Sequence, residues 1–152
     1  MHKAITALAM LGLAGCLPTN VPSGMLKNSD PGSPQALDDL AALAIIKGYQ
    51  LRVGITRPII IYSGEISDIF TSAKFFGPPD EGVCVKVKSQ LKLLQSAPTD
   101  DLLYVRVIRS SGRLNVVHKG KDPSHIDCNQ SRTYRPLPQI ASLAKVNDFG
   151  PE

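Results

Sequence analysis

The sequence predicts an α+β fold in which one N-terminal amphipathic helix packs on a small, mostly antiparallel sheet of four strands. Three observations carry this. Leu37, Leu40, Ala41, Ala44 and Ile45 recur at helical spacing and form one apolar stripe. "GVCVKVKS" (82–89) and "DLLYVRVIR" (101–109) alternate with a period of two, the pattern of half-buried strands. Between the second of these and the next β-rich run stand Ser110, Ser111 and Gly112, a three-residue loop whose final glycine suits a bulged hairpin.

The helix begins cleanly. Ser33 is placed to cap it, and Pro34 suits the first helical position, where its missing N–H costs nothing. Asp38 and Asp39 lie just beyond the first turn, near the positive end of the helix dipole. Lys47 followed by Gly48 reads as the C-terminal stop.

The strands are read as "PIIIYSG" (58–64), 82–89, 101–109 and "RLNVVH" (113–118). On 82–89 the residues Val83, Val85 and Val87 share one face, and Cys84, Lys86 and Lys88 the other. On 101–109 Leu103, Val105 and Val107 oppose Tyr104, Arg106 and Ile108. Residues 66–76 fit a short helix or an extended piece equally well. "QLKLLQSAPTD" (90–100) reads as a loop. Pro136 and Pro138 predict a tail running as a loop along the surface, with a helical turn or two over 140–146.

The chain opens with Lys3, then an apolar segment from Ala4 to Leu13. That length is half of the roughly 20 residues a spanning helix needs, so it reads as the core of a secretory signal. Leu13-Ala14-Gly15-Cys16 resembles the lipobox of bacterial lipoproteins. The resemblance implies cleavage before Cys16 and a diacylglycerol on its thiol, with the free amino group usually acylated as well. Leu17, rather than an acidic residue, follows the cysteine, which resembles the sorting pattern of outer-membrane-directed enteric lipoproteins. The expected organisation is a signal at 1–15, a lipid-anchored flexible tether at 16–32, and one periplasmic α+β domain at 33–152. The tether "LPTNVPSGMLKNSDPG" (17–32) is rich in Pro, Gly and small polar residues. Its flexible-chain span is on the order of 20–25 Å. The expected address is the inner leaflet of the outer membrane, facing the periplasm.

With Cys16 acylated, Cys84 and Cys128 remain as an even pair in an oxidising compartment, and a disulfide is expected between them. A reactive thiol or metal ligand is the competing reading, but no Cys-x-x-Cys or paired His–Cys spacing supports it. "VCVKVKS", the hairpin at "RSSGRLNV", and Cys128 followed by "YRPLPQI" also resemble the C-terminal domain of small proteobacterial lipoproteins of uncharacterised function, over residues 58–141. That resemblance implies architecture and no chemistry. It breaks at 90–100, where the family's loop is rich in glycine and asparagine.

Signs of catalysis are sparse. Beyond the signal the imidazole bases are His118 and His125, and no Gly-x-Ser-x-Gly elbow or P-loop spacing occurs. His118, His125 and Asp127 are the available metal-ligand types in "HKGKDPSHIDC", but solvated loop residues account for them better, and no metal or cofactor is expected. Charge is more informative. Ten Lys or Arg face four acids between Lys86 and Arg135. Lys86, Lys88 and Arg106 are expected on the sheet face opposite the valines, a candidate surface for an anionic glycolipid or an acidic envelope protein. The plain alternative is the solvated face of a half-buried sheet. Nucleic acid is not an expected partner, since no aromatic stacking platform accompanies the charges. The expected function is a non-catalytic binding or accessory module of the cell envelope. The alternatives are an inhibitor or immunity-type protein acting on a secreted envelope hydrolase and, with less support, a periplasmic hydrolase around His118 and Asp127.

Overall fold

The computed structural model describes residues 19–22, 33–53, 59–72, 79–92, 97–110, 113–120, 128 and 131–151. The signal segment, Cys16, most of the expected tether, His125 and Asp127 lie outside them. The order of elements is α1 (Pro34–Val53), β1 (Ile59–Ser67), β2 (Phe70–Ser72), β3 (Asp80–Leu91), β4 (Thr99–Ser110), β5 (Arg113–Gly120), β6 (Tyr134–Pro136) and α2 (Pro138–Val146). Among the described residues this is an α+β fold with two helices and a six-stranded sheet, where the sequence predicted one helix and four strands.

The sheet order is β5-β4-β3-β1-β6, with β2 also paired to β3. Every described pairing is antiparallel. β1 and β2 occupy the same side of β3 in succession, β1 along Val85–Leu91 and β2 along Asp80–Gly82. The chain then meanders through β4 and β5 and returns to the far edge, where β6 pairs with β1. The additional strands are three residues each, too short to show a period, and Pro136 sits where a proline is tolerated, on an edge strand.

The valine pattern places the core as predicted. Val83, Val85, Val87, Leu103, Val105 and Val107 are buried on one face, with Ile61 and Ile66 from β1. Both helices cover this face, α1 over β5 and β4 and α2 over β1, and they touch each other. α2 contains the helical turns expected over 140–146, begins earlier, at Pro138, and is packed on the sheet rather than running along the surface. Pro138 stands at its start, where proline is favoured, and Ile140, Leu143 and Ala144 form a buried stripe at helical spacing. The approach to β1 is close. A Cβ on Gly64 would meet Ile140 Cγ2 at 2.7 Å, so this position requires glycine's missing side chain. Just before the helix, the Leu137 N–H donates to the Gly64 carbonyl at 2.8 Å.

α1 starts as expected, with the Ala36 N–H donating to Ser33 Oγ at 3.2 Å. It does not stop at Gly48 but runs to Val53. A mid-helix glycine costs about 1 kcal/mol against alanine. That local cost is offset by tertiary contacts of the next residues: Tyr49 is buried and its Oη donates to Asp101 Oδ2 at 2.9 Å. Nor does α1 bury a single stripe. Ala36, Asp38, Asp39, Ala42 and Ile46 are buried as well. Sheet, α2 and the docked Val21 together cover more of the helix surface than one stripe.

Within 16–32, residues 19–22 rest on the folded body. Thr19 Oγ1 donates to Gln50 Oε1 at 3.0 Å, and the Asn20 N–H donates to Asn147 Oδ1 at 3.0 Å. Asn147 Nδ2 donates back to the Asn20 carbonyl at 2.8 Å.

Candidate functional site

The face opposite the valines carries Lys86, Lys88 and Arg106 together, as alternation requires. The same face carries acids in matching positions. Arg106 pairs with Asp80 at 2.7 Å. In register, Lys88 stands opposite Asp100 on β4, and Lys86 opposite Glu65 on β1. The Lys86 ammonium also lies 3.8 Å from the centroid of the Tyr134 ring, a cation–π contact. The three cations are thus interleaved with three acids and an aromatic ring, rather than forming a uniform positive surface.

Nor is the centre of this face open to water. Cys84, Tyr104 and Cys128 are buried there as a second, smaller core, flanked by Phe70, Leu102 and Tyr134. Tyr104 lies across Gly82, where any side chain would collide with its ring. Cys84 and Cys128 are at bonding distance, with Sγ atoms 2.06 Å apart and Cα atoms 5.6 Å apart. Cys84 is on the central strand β3, and Cys128 belongs to the connection from β5 to β6. The bond therefore pins that crossing to the outer face of the sheet. Beyond it Arg132 stacks on Phe70, its guanidinium carbon 3.6 Å from the ring centroid. Tyr134 Oη is buried with no hydrogen-bond partner among the described residues. Burial pushes its pKa above the usual value of 10.0; Arg132 pulls it down and Glu65 pushes it up, both to a smaller degree.

A concave feature lies on the other face, beneath the N-terminus of α1. Ser33, Pro34 and Leu37 of the start of α1, Ser67, Asp68 and Ile69 after β1, and Arg109 and Arg135 line a cavity of about 300 Å³. Arg135 comes from β6 and grips Asp38 of α1 with both guanidinium nitrogens, at 2.5 and 2.6 Å. The Asp38 side chain is only 8% exposed, so this two-point contact compensates a carboxylate withdrawn from water. That hydrogen bonding holds the Arg135 guanidinium above its usual pKa against the opposing effect of burial. Arg109 pairs with Glu81 at 2.8 Å. The cleft thus combines apolar Pro34, Leu37 and Ile69 with two ion-paired guanidinium groups, two serines and Asp68. Its lining contains no histidine or cysteine.

His118, the last residue of the strand read from the sequence, stands opposite Val105 in the β4–β5 ladder, and β5 continues past it to Gly120. His125 and Asp127 lie outside the described residues, and among those described no three His, Cys, Asp or Glu converge as a metal site. No described helix is long and apolar enough to cross a membrane. Sequence reasoning missed the cleft because its walls come from four separate elements. The available hint was the pair Asp38-Asp39 interrupting an apolar helix. No family model, curated protein or solved structure matches the chain.

Proposed function

We propose that the chain is a lipid-anchored protein of a bacterial cell envelope whose folded body is a non-catalytic binding or accessory module. The observation that carries the reading is the order of Lys3, an apolar segment ending at Leu13, the small pair Ala14-Gly15, and Cys16. A disulfide between Cys84 and Cys128 suits the oxidising compartment that such a signal leads to. Two or more acyl chains at Cys16 would make attachment stable where one would be marginal. Leu17 after the cysteine favours the outer membrane, with the body in the periplasm. The cleft beneath α1 is the recognition surface best built for a protein partner: it combines apolar Pro34, Leu37 and Ile69 with fixed charges. The mixed charges around Lys86, Lys88 and Arg106 leave a weaker case for an anionic glycolipid.

The test is incorporation of labelled palmitate by cells expressing the wild type or Cys16→Ala. Label in the membrane fraction of the wild type, lost in the variant, supports the anchor; an unlabelled wild-type protein rejects it. Passing detergent-solubilised envelope over the immobilised protein then separates partners. A protein retained at high salt supports the module, and its loss with Ile69→Arg, at an exposed residue of the lining, assigns the cleft. Hydrolysis of an envelope substrate by the purified protein, abolished by one substitution that leaves it folded, would overturn the non-catalytic reading.

A further inference from the structure

The docking of residues 19–22 has a geometric consequence for the proposed anchor, and the inference rests on that anchor. From Cys16 to Thr19 the chain advances three residues, which reach at most about 10 Å when fully extended. Thr19 and Asn20 are held by Gln50 near the end of α1 and by Asn147 just after α2. Gln50 and Asn147 are themselves joined, Nε2 donating to Oδ1 at 3.3 Å, so the two helices end side by side at this point. The headgroup layer of one leaflet is roughly 5–8 Å deep, the difference between the full bilayer and its hydrocarbon core shared between two sides. A body held within about 10 Å of acylated Cys16 therefore cannot stand clear of the lipid.

The surface around the clamp has the composition for such contact. Leu51, next to Gln50, is 76% exposed, and Val146, next to Asn147, is 45% exposed. These are two of the three large apolar side chains exposed among the described residues. Lys47, one helical turn before Leu51 on the same side of α1, and Lys145 beside Val146 are exposed, against an exposed Asp148. Apolar points flanked by lysines whose stems can lie along the interface suit a bilayer surface.

We propose that the C-terminal ends of α1 and α2 form a membrane-docking face, which seats Leu51 and Val146 in the headgroup region of a phospholipid bilayer. The protein is lashed to the surface rather than suspended on a 16–32 tether, and the cleft at the start of α1 stands at the opposite, aqueous end.

The chain has no tryptophan, so a single introduced one is a clean reporter. Full-length protein carrying Leu51→Trp, Val146→Trp or, at the opposite end of the sheet, Thr71→Trp would be produced with its lipid and reconstituted into vesicles of phosphatidylethanolamine and phosphatidylglycerol containing brominated acyl chains. All three positions are exposed, so the substitutions leave the fold intact, which the melting temperature checks. The expected result is a blue shift and strong quenching at positions 51 and 146, with position 71 unquenched. Equal or absent quenching at all three, in protein whose mass includes the acyl chains, overturns the docking face and leaves the anchor standing. Protein that carries no acyl chain removes the anchor reading and the docking face with it.

Discussion

Gly64 and Tyr134 show how single positions carry the packing. A methyl group on Gly64 meets the branched Cγ2 of Ile140, which cannot swing aside as the end of a flexible chain would. Gly64→Ala is expected to cost about 1–3 kcal/mol, as overpacking does. In a double-mutant cycle with Ile140→Ala part of that cost should be recovered, and strictly additive losses in denaturant titration would count against the contact. Tyr134 buries a hydroxyl with no described partner while its ring receives Lys86. Tyr134→Phe keeps the ring and removes the unpaired group, so stability at neutral pH should hold or rise. The alkaline behaviour has a definite sign. The folded-state pKa is raised above the ordinary 10.0, so the neutral hydroxyl is the form the fold prefers. Its contribution is complete below pH 10 and is lost as pH rises through the folded value. The difference in melting temperature between wild type and Tyr134→Phe should therefore shift in the variant's favour above pH 10. A difference independent of pH would show that this tyrosine does not titrate out of step with the unfolded chain.

Among the elements, α2 and the end of the chain after it were the least visible in advance, and they prove structural. Asn147 continues the helix hydrogen bonding, and Asp148 follows with φ of 61°, the left-handed conformation that ends many helices. The turn brings Phe149 back, its N–H donating to the Ala144 carbonyl at 2.8 Å and its carbonyl accepting from the Ile61 N–H at 2.6 Å. Glycine adopts that φ without penalty, so Asp148→Gly should stabilise the protein by roughly 0.5–1 kcal/mol, read as a raised melting temperature. Truncation of Ile140 to alanine removes a fully buried side chain between α2 and β1. A loss of about 2–5 kcal/mol is expected, and a neutral result would mean that α2 is not part of the cooperative unit. At the opposite end of α1, Asp38 and Arg135 are 97 residues apart in sequence and tie β6 to the helix. Arg135→Ala leaves a nearly buried carboxylate uncompensated. Because the arginine itself is 38% exposed, the loss should fall below the full buried-pair value, at about 1–3 kcal/mol.

For the whole molecule, the Cys84–Cys128 bond determines how the return path from β5 to β6 lies across the sheet. It closes a sequence separation of 44 residues, worth roughly 4 kcal/mol in the chain-entropy model. Cys84→Ser should lower the melting temperature by an amount comparable to full reduction of the wild type, and should leave Cys128 open to a thiol reagent. Labelling of both thiols in unreduced wild type would contradict the bond. The same scale joins the two faces to the proposed function. The helical layer carries the cleft beneath the start of α1 and the anchor clamp at its end, so a partner and the membrane would meet different ends of one rigid helix.

What the sequence determined by itself is local. Ser33-Pro34 marks the start of α1, and period-two alternation in 82–89 and 101–109 assigns Val83, Val85 and Val87 to the core. The two internal cysteines could be paired by counting. These features depend on neighbours a few residues away, where capping, periodicity and glycine conformations act. Tertiary structure alone decided the rest. Three-residue strands such as β2 and β6 have no periodicity to read and exist because β3 and β1 offer them hydrogen bonds. Gly48 was overruled by the burial of Tyr49 against a strand 52 positions away. Asp80 and Tyr134 meet Arg106 and Lys86 only once the sheet and the crossing are assembled, turning an apparently basic face into a balanced one. Residues 19–22, tether-like by composition, are held because Gln50 and Asn147 end up side by side. In each case the energy lies in contacts between distant segments, which no local pattern records.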